Sequence, residues 1–416
     1  MRVQVKLSVF IWLTCCFFGL FWSSAQALEL SPQAKISLIT VSPGTELYSM
    51  YGHSAIRVHD PTQDLDIVFN YGTFDFNTPN FYVKFIRGKL PYQLSMGYYD
   101  NLLRNSQADN RSVYEQVINL DPAEKQKIVN FLEYNYQPEY RSYFYDFFYD
   151  NCATRIRDVF KFELRDKLNF QTQPVREEPL TFRQLVGIYQ RPHPWVDLGI
   201  DLLMGLPADK EATAVQAMFL PDFLMEGFAL AQIQLKTAAS ADSSNAGNTK
   251  PFAEKARSIF IATAPPTVPT TVTPTLVFWI LFLIVAIITV VQIKNKVARN
   301  GFDVLLFSLV GLLGILLTFL WFGTDHKAFA DNLNILWAFP LHLPLALLLI
   351  GRSRPKFLKY YFLAFAVLLL IISVCWKIFP QDYHPAVLPI VLMLALRAGY
   401  IFYASPYTKR KANPYR

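Results

Sequence analysis

Residues 145–160 read Tyr145-Asp146-Phe147-Phe148-Tyr149-Asp150-Asn151-Cys152-Ala153-Thr154-Arg155-Ile156-Arg157-Asp158-Val159-Phe160. Asp150-Asn151 is a helix-start signal, and beyond Cys152 the apolar residues Ile156, Val159 and Phe160 recur at helical spacing. Cys152 therefore falls in the first turn of a helix. The positive end of the helix dipole lowers the pKa of a thiol there and favours the nucleophilic thiolate.

The chain holds four cysteines. Cys15 and Cys16 sit in an N-terminal apolar run and Cys375 in a C-terminal one, so Cys152 is the lone thiol of everything between. With no disulfide partner it is either a buried core residue or a nucleophile. A nucleophile needs a base, and that region offers His53, His59 and His193. Gly52-His53-Ser54-Ala55-Ile56-Arg57-Val58 alternates as a strand does, with His53, Ala55 and Arg57 on one side and Ser54, Ile56 and Val58 on the other. A turn at Asp60-Pro61-Thr62-Gln63 leads to a second strand, Asp66-Ile67-Val68-Phe69-Asn70-Tyr71-Gly72. His53 then opens one strand with a polar neighbour on the next, the arrangement of a base oriented by a third group. His59, beside the turn, reads as solvated, and His193 lies in the rigid loop Arg191-Pro192-His193-Pro194-Trp195.

Composition sets the compartment. Of 416 residues, 52% are hydrophobic and 17% charged, which excludes a disordered chain and argues against an ordinary soluble globule. The formal net charge of +7 suggests nucleic acid until it is mapped. Residues 276–416 carry 14 Lys and Arg against 4 Asp and Glu, and residues 1–275 carry 25 against 28. The basic excess coincides with the apolar runs and reads as membrane topology, so no nucleic-acid partner is expected.

Arg2 and Lys6, an apolar run from Leu7 to Trp22 and then Ser23-Ser24-Ala25-Gln26-Ala27 form a secretory signal peptide cut after Ala27, with an uncleaved anchor as the alternative. Five apolar segments, residues 276–293, 302–322, 333–350, 357–376 and 385–404, each approach the roughly 20 residues of a spanning helix. Basic residues follow the first (Lys294, Lys296, Arg299), the third (Arg352, Arg354, Lys356, Lys359) and the fifth (Lys409, Arg410, Lys411, Arg416). The positive-inside bias places these connections in the cytoplasm and residues 28–275 outside it. The expected domains are a signal peptide over 1–27, an exported catalytic domain over 28–235, a flexible Pro/Thr/Ser-rich linker over 236–275, five transmembrane helices over 276–404 and a basic cytoplasmic tail over 405–416.

The histidine strand, the Asn70-Tyr71-Gly72 strand and the Asn151-Cys152 helix, in that order, resemble the circularly permuted papain-like fold that includes lecithin:retinol acyltransferase-like enzymes. A closer likeness rests on Phe69-Asn70-Tyr71-Gly72-Thr73-Phe74-Asp75-Phe76, Pro79-Asn80-Phe81-Tyr82, Asn110-Arg111-Ser112-Val113, Asp150-Asn151-Cys152-Ala153-Thr154-Arg155 and, near the C-terminus, Asn332-Leu333-Asn334-Ile335-Leu336-Trp337 with Pro340-Leu341-His342. These stretches are similar to a membrane-anchored bacterial family, long listed as a domain of unknown function, that is associated with lipoprotein N-acylation. The resemblance implies an α+β catalytic domain followed by a helical membrane domain, with Cys152 as nucleophile and His53 as base. Where many permuted relatives have a second histidine, this chain has Asn70, with Asp66 on the same face as a competitor.

The implied activity is transfer of an acyl chain from a phospholipid, through a Cys152 thioester, to the N-terminal amine of a diacylglyceryl-cysteine lipoprotein at the bacterial inner membrane. The alternative keeps the Cys–His pair and cleaves cell-wall peptides or amides. No metal or cofactor is expected, since metal-ligand spacings and phosphate-cradling glycine loops are missing from the sequence. The aromatic stretches Phe74–Phe85, Tyr98-Tyr99 and Tyr134–Tyr149 are core and turn residues, or alternatively an acyl channel or interfacial face. Arg111, Arg155 and Arg157 are surface charges or phosphate ligands. His326, Asn332, Asn334, His342 and His384 are either a capping network or functional groups near the bilayer.

Overall fold

The computed structural model describes residues 28–170, 178–235, 249–263, 272–297, 300–351 and 354–404. The expected signal peptide and tail lie outside these. Seven strands form one antiparallel sheet in the order β10-β5-β1-β2-β3-β4-β6: β1 (Lys35–Val41), β2 (His53–Asp60), β3 (Leu65–Thr73), β4 (Pro91–Tyr98), β5 (Val113–Val117), β6 (Ser142–Phe144) and β10 (Arg257–Phe260). A small second sheet joins β7 (Leu168–Asn169), β8 (Gln232–Gln234) and β9 (Thr249–Pro251). The exported part also contains helices α1 (Phe81–Ile86), α2 (Tyr99–Ala108), α3 (Pro122–Tyr136), α4 (Cys152–Leu164), α5 (Phe182–Gln190), α6 (Pro194–Leu203), α7 (Ala214–Ala217) and α8 (Pro221–Leu230).

The expected strand pair is present, with Ile56 opposite Phe69 and His59 opposite Asp66. Alternation gives the sheet two buried faces. Ile36, Leu38, Ile56, Val58 and Phe69 pack with Ile156, Val159 and Phe160 of α4, whereas Ile39, Val41, Ala55 and Val68 pack with Tyr99 of α2. Asn151 caps α4 as the sequence signal predicts: its carboxamide oxygen accepts from the N–H groups of Ala153 and Thr154, both at 2.9 Å. Its carboxamide nitrogen donates to the carbonyls of Phe147 and Phe219, so the cap also fixes the helix start in the core.

The expectation of a linker throughout 236–275 requires correction. Residues 249–251 and 257–260 of that stretch are β9 and β10, which extend the two sheets. Arg257 reaches back to Glu115 of β5 at 2.8 Å. The partner of β10 lies more than 140 residues upstream, where local composition does not register it. Residues 236–248 and 264–271 of the expected linker lie outside the described residues.

The membrane part contains α9 (Pro274–Lys294), α10 (Gly301–Gly323), α11 (His342–Leu347), α12 (Lys356–Val374) and α13 (Val387–Ala404). Four of these, α9, α10, α12 and α13, are long and apolar enough to cross a membrane. The expected third span over 333–350 is not one continuous helix. It is a 3-10 turn at Leu333–Leu336, an irregular stretch and then the six-residue α11. Pro340 and Pro344 lack the N–H groups a continuous helix needs. The broken segment runs antiparallel to α10, with Ala338 against Gly314 and Leu343 against Gly311. A Cβ on either glycine would lie 2.0 Å from the Ala338 carbonyl oxygen or 2.3 Å from the Leu343 nitrogen. At the far end Arg397 of α13, fully buried, forms a fork on Asp303 of α10 at 2.6 and 2.9 Å and also donates to Thr289 and Gln292 of α9.

The polar cluster noted in the sequence joins the exported part to the membrane part. Asn332 donates to the carbonyls of Leu202 and Leu203 at 2.9 and 3.0 Å, Asn334 donates to Leu202 at 3.1 Å, and Gln381 donates to Met204. His384 lies 3.5 Å from Asp197. The Gly205 N–H donates to the Ala328 carbonyl, and any Cβ there would sit 1.8 Å from the Ala330 oxygen. This network caps helix ends and fixes the exported domain on the spans. His342 is the exception: it packs inside the bundle, where Tyr361 meets its Nδ1 at 2.7 Å.

Candidate active site

Cys152 is the first residue of α4 and is only 9% exposed. The Asn151 oxygen accepts from the N–H groups of Ala153 and Thr154 and passes over that of Cys152, which at the first helical position has no intrahelical partner. The thiol lies against the ends of β2 and β3. Gly72, with φ of +87°, occupies a backbone conformation that side chains resist, and a Cβ on it would meet Cys152 Cβ at 3.6 Å and Tyr145 Cε2 at 3.8 Å. This glycine near the end of β3 thus lets the strand reach the helix start.

His53 opens β2 beside this thiol. Its Nε2 donates to Asn70 Oδ1 at 3.2 Å, which leaves Nδ1 for Cys152. Burial alone pushes the Cys152 pKa up. The charge of His53, the hydrogen bond from it and the backbone N–H groups of Ser54 and Ala153 outweigh this and hold the thiol below its ordinary value. Burial likewise pulls His53 down, but the Cys152 charge, its hydrogen bond and Asn70 raise the imidazole above its ordinary range. Opposite shifts in contacting groups favour a thiolate–imidazolium pair.

Asp66, the competitor for Asn70, is elsewhere. Arg57 grips it in a fork at 2.6 and 2.7 Å. It stands opposite His59, four residues along β3 from Asn70, a separation of about 13 Å at strand rise. Hence Asn70 contacts His53 and Asp66 does not. His59 lies 3.7 Å from Asp66, and His193 is exposed at the start of α6.

The three arginines differ. Arg155 forks onto Asp150 and stacks over Tyr143 at 3.5 Å. Arg157 pairs with Asp158 and the Val215 carbonyl. Arg111 is the one at the site: it acts electrostatically on both Cys152 and His53, its Nε donates to the Ser42 carbonyl, and its buried Nη2 has no partner. Burial is the main cause of its lowered pKa. Sequence reasoning missed this placement and that of Tyr145. Gly72, two residues after Asn70 near the end of β3, was the available signal that a backbone approach occurs there.

Two family models match the chain, the Lnb N-terminal periplasmic domain over residues 27–187 and the Lnb transmembrane domain over residues 267–410. The chain belongs to the Lnb family. No curated protein and no solved structure matches it. The first match contains His53, Asn70, Arg111 and Cys152, and the second contains all four long apolar helices. This Lnb-family protein is therefore a multi-pass membrane protein with a periplasmic N-terminal domain, and its Cys–His–Asn cluster lies within that domain.

Proposed function

We propose that this Lnb-family chain is a thiol acyltransferase. It carries an acyl chain from a phospholipid, through a thioester on Cys152, to the N-terminal amine of diacylglyceryl-cysteine lipoproteins. The observation that carries the reading is the buried, thiolate-favouring Cys152 held by His53, itself bonded to Asn70, in a domain bonded directly to membrane spans. The order of histidine strand, asparagine strand and cysteine helix supports a circularly permuted papain-like domain.

His53 takes the Sγ proton, and the thiolate attacks the ester carbonyl of the phospholipid. The unpartnered Cys152 N–H suits the oxyanion. The carbon–oxygen ester bond breaks, the lysophospholipid oxygen takes the proton from His53, and a thioester remains. The acceptor amine then attacks the thioester, His53 takes its proton, and the thiolate leaves with an amide formed. Both substrates are confined to a bilayer, which agrees with a catalytic domain fixed to spans. The basic connections support an inner-membrane topology with the C-terminus in the cytoplasm.

The test is a strain whose only copy carries Cys152→Ala. Mass spectra of its lipoproteins are expected to show free N-terminal amines while the variant remains in the membrane. Normal N-acylation with that variant stably present would overturn the proposal. Release of cell-wall peptides by the wild-type protein, with no lipid consumed, would favour the amidase reading.

A further inference from the structure

Helix α1 has the sequence Phe81-Tyr82-Val83-Lys84-Phe85-Ile86, and none of its residues is buried. With Phe76, 70% exposed, and Tyr82, 75% exposed, it forms an apolar surface that water alone would penalise. Its position supplies the missing cover. The Phe85 carbonyl oxygen lies 3.0 Å from His326 Nε2, the Arg87 carbonyl accepts from the Asp325 N–H at 3.0 Å, and Lys89 lies 3.7 Å from Asp325. Asp325 and His326 lie two and three residues beyond the C-terminus of the apolar helix α10 at Gly323. The end of α1 is thus within a few residues of where a span leaves the bilayer. Aromatic residues with Lys84, Arg87 and Lys89 beside them suit the headgroup level there.

From this surface aromatic rings lead inward without a gap. Phe85 faces Phe81 at 6.2 Å, Phe81 faces Phe74 at 5.8 Å, Phe74 meets Tyr92 at 5.3 Å, and Tyr92 stacks on Tyr145 at 4.4 Å. Tyr145 and Cys152 flank the same point at Gly72. The track begins at the membrane end of α10 and finishes at the thiol.

We propose that α1 and this aromatic track form the route by which an acyl chain of a bilayer phospholipid reaches Cys152. The contact of α1 with the bilayer stands on its own geometry, and the delivery to Cys152 rests on the acyltransferase reading. An acyl chain would leave the outer leaflet along Phe85 and Phe76, lie over Phe81 and Phe74, and present its ester near Gly72.

Two measurements on the full chain in phosphatidylethanolamine–phosphatidylglycerol vesicles test this. First, a phospholipid with a diazirine on its acyl chain is photolysed with the Cys152→Ala variant, which needs no chemistry at the thiol. Crosslinks within residues 74–92 are expected. Crosslinks confined to α9, α10, α12 and α13, or a crosslinked dimer through α1, would overturn the route. Secondly, thioester formation on Cys152 is timed with vesicle phospholipid and with a water-soluble short-chain ester. Phe76→Asp places a carboxylate at the bilayer face and is expected to lower the ratio of the two rates about tenfold or more. An unchanged ratio would overturn the route. If the wild-type chain forms no thioester from either ester, the acyltransferase reading fails, and the crosslinks still decide whether α1 meets lipid.

Discussion

Replacing Asn70 by alanine removes one hydrogen bond, and the geometry says what that bond does. Asn70 Oδ1 accepts from His53 Nε2 at 3.2 Å, a part-buried contact at the long end of the usual range. A bond from a charged donor is stronger than one from a neutral donor by about 1–1.5 kcal/mol. Losing it penalises the imidazolium by that difference, which lowers the His53 pKa by about one unit. The thiolate loses part of its counter-charge, so the Cys152 pKa rises by a similar amount. The assay is the rate of iodoacetamide alkylation of the Cys152 peptide, followed by mass spectrometry across pH in solubilised full chain. The rise in rate is expected to move about one pH unit upward in Asn70→Ala, with about tenfold slower alkylation below the midpoint. Asp66→Asn is expected to leave the Cys152 profile in place, because Asp66 serves Arg57. An unmoved profile in a folded Asn70→Ala protein, or a shift in Asp66→Asn alone, would refute the assignment of Asn70 as the orienting residue.

Thioester formation is expected to show a bell-shaped pH profile while alkylation rises to a plateau. The Cys152 pKa is lowered, so the thiolate exists above it; the His53 pKa is raised, so the imidazolium that protonates the leaving oxygen exists below it. Alkylation needs only the first group, so parallel profiles for the two reactions would contradict this division of roles. Gly205→Val forces a side chain into the Ala330 carbonyl, 1.8 Å from the Cβ position. It is expected to destabilise the junction of the domains by about 2 kcal/mol, read as faster proteolysis between them in lipid with the membrane helices intact.

The parts of the site that were legible in the sequence are those with local causes. Asn151 caps α4 through bonds to residues two and three positions on, and the β2–β3 alternation follows from successive side chains facing opposite sides of the sheet. Both can be read within a dozen residues. The choice between Asn70 and Asp66 was not legible, because the two share a face and only strand rise and the Arg57 fork separate them. Strand β10 was hidden for a different reason: its partner β5 lies far upstream, and a Pro/Thr/Ser-rich setting outweighed a four-residue strand. The third membrane segment has enough apolar residues for a span, yet it is broken around Pro340, and Gly311 and Gly314 of α10 accept its irregular backbone. Asn332 and Asn334 read as costly polarity at the bilayer until their partners, the carbonyls of Leu202 and Leu203, are in view.

The central claim is that Cys152 carries the acyl chain. The direct measurement is intact mass spectrometry of the full chain after rapid quenching in phospholipid, with and without hydroxylamine. The account predicts a mass increase of one acyl group that hydroxylamine removes and that Cys152→Ala lacks. Bare protein from every phospholipid mixture, with Cys152 still readily alkylated, would contradict it.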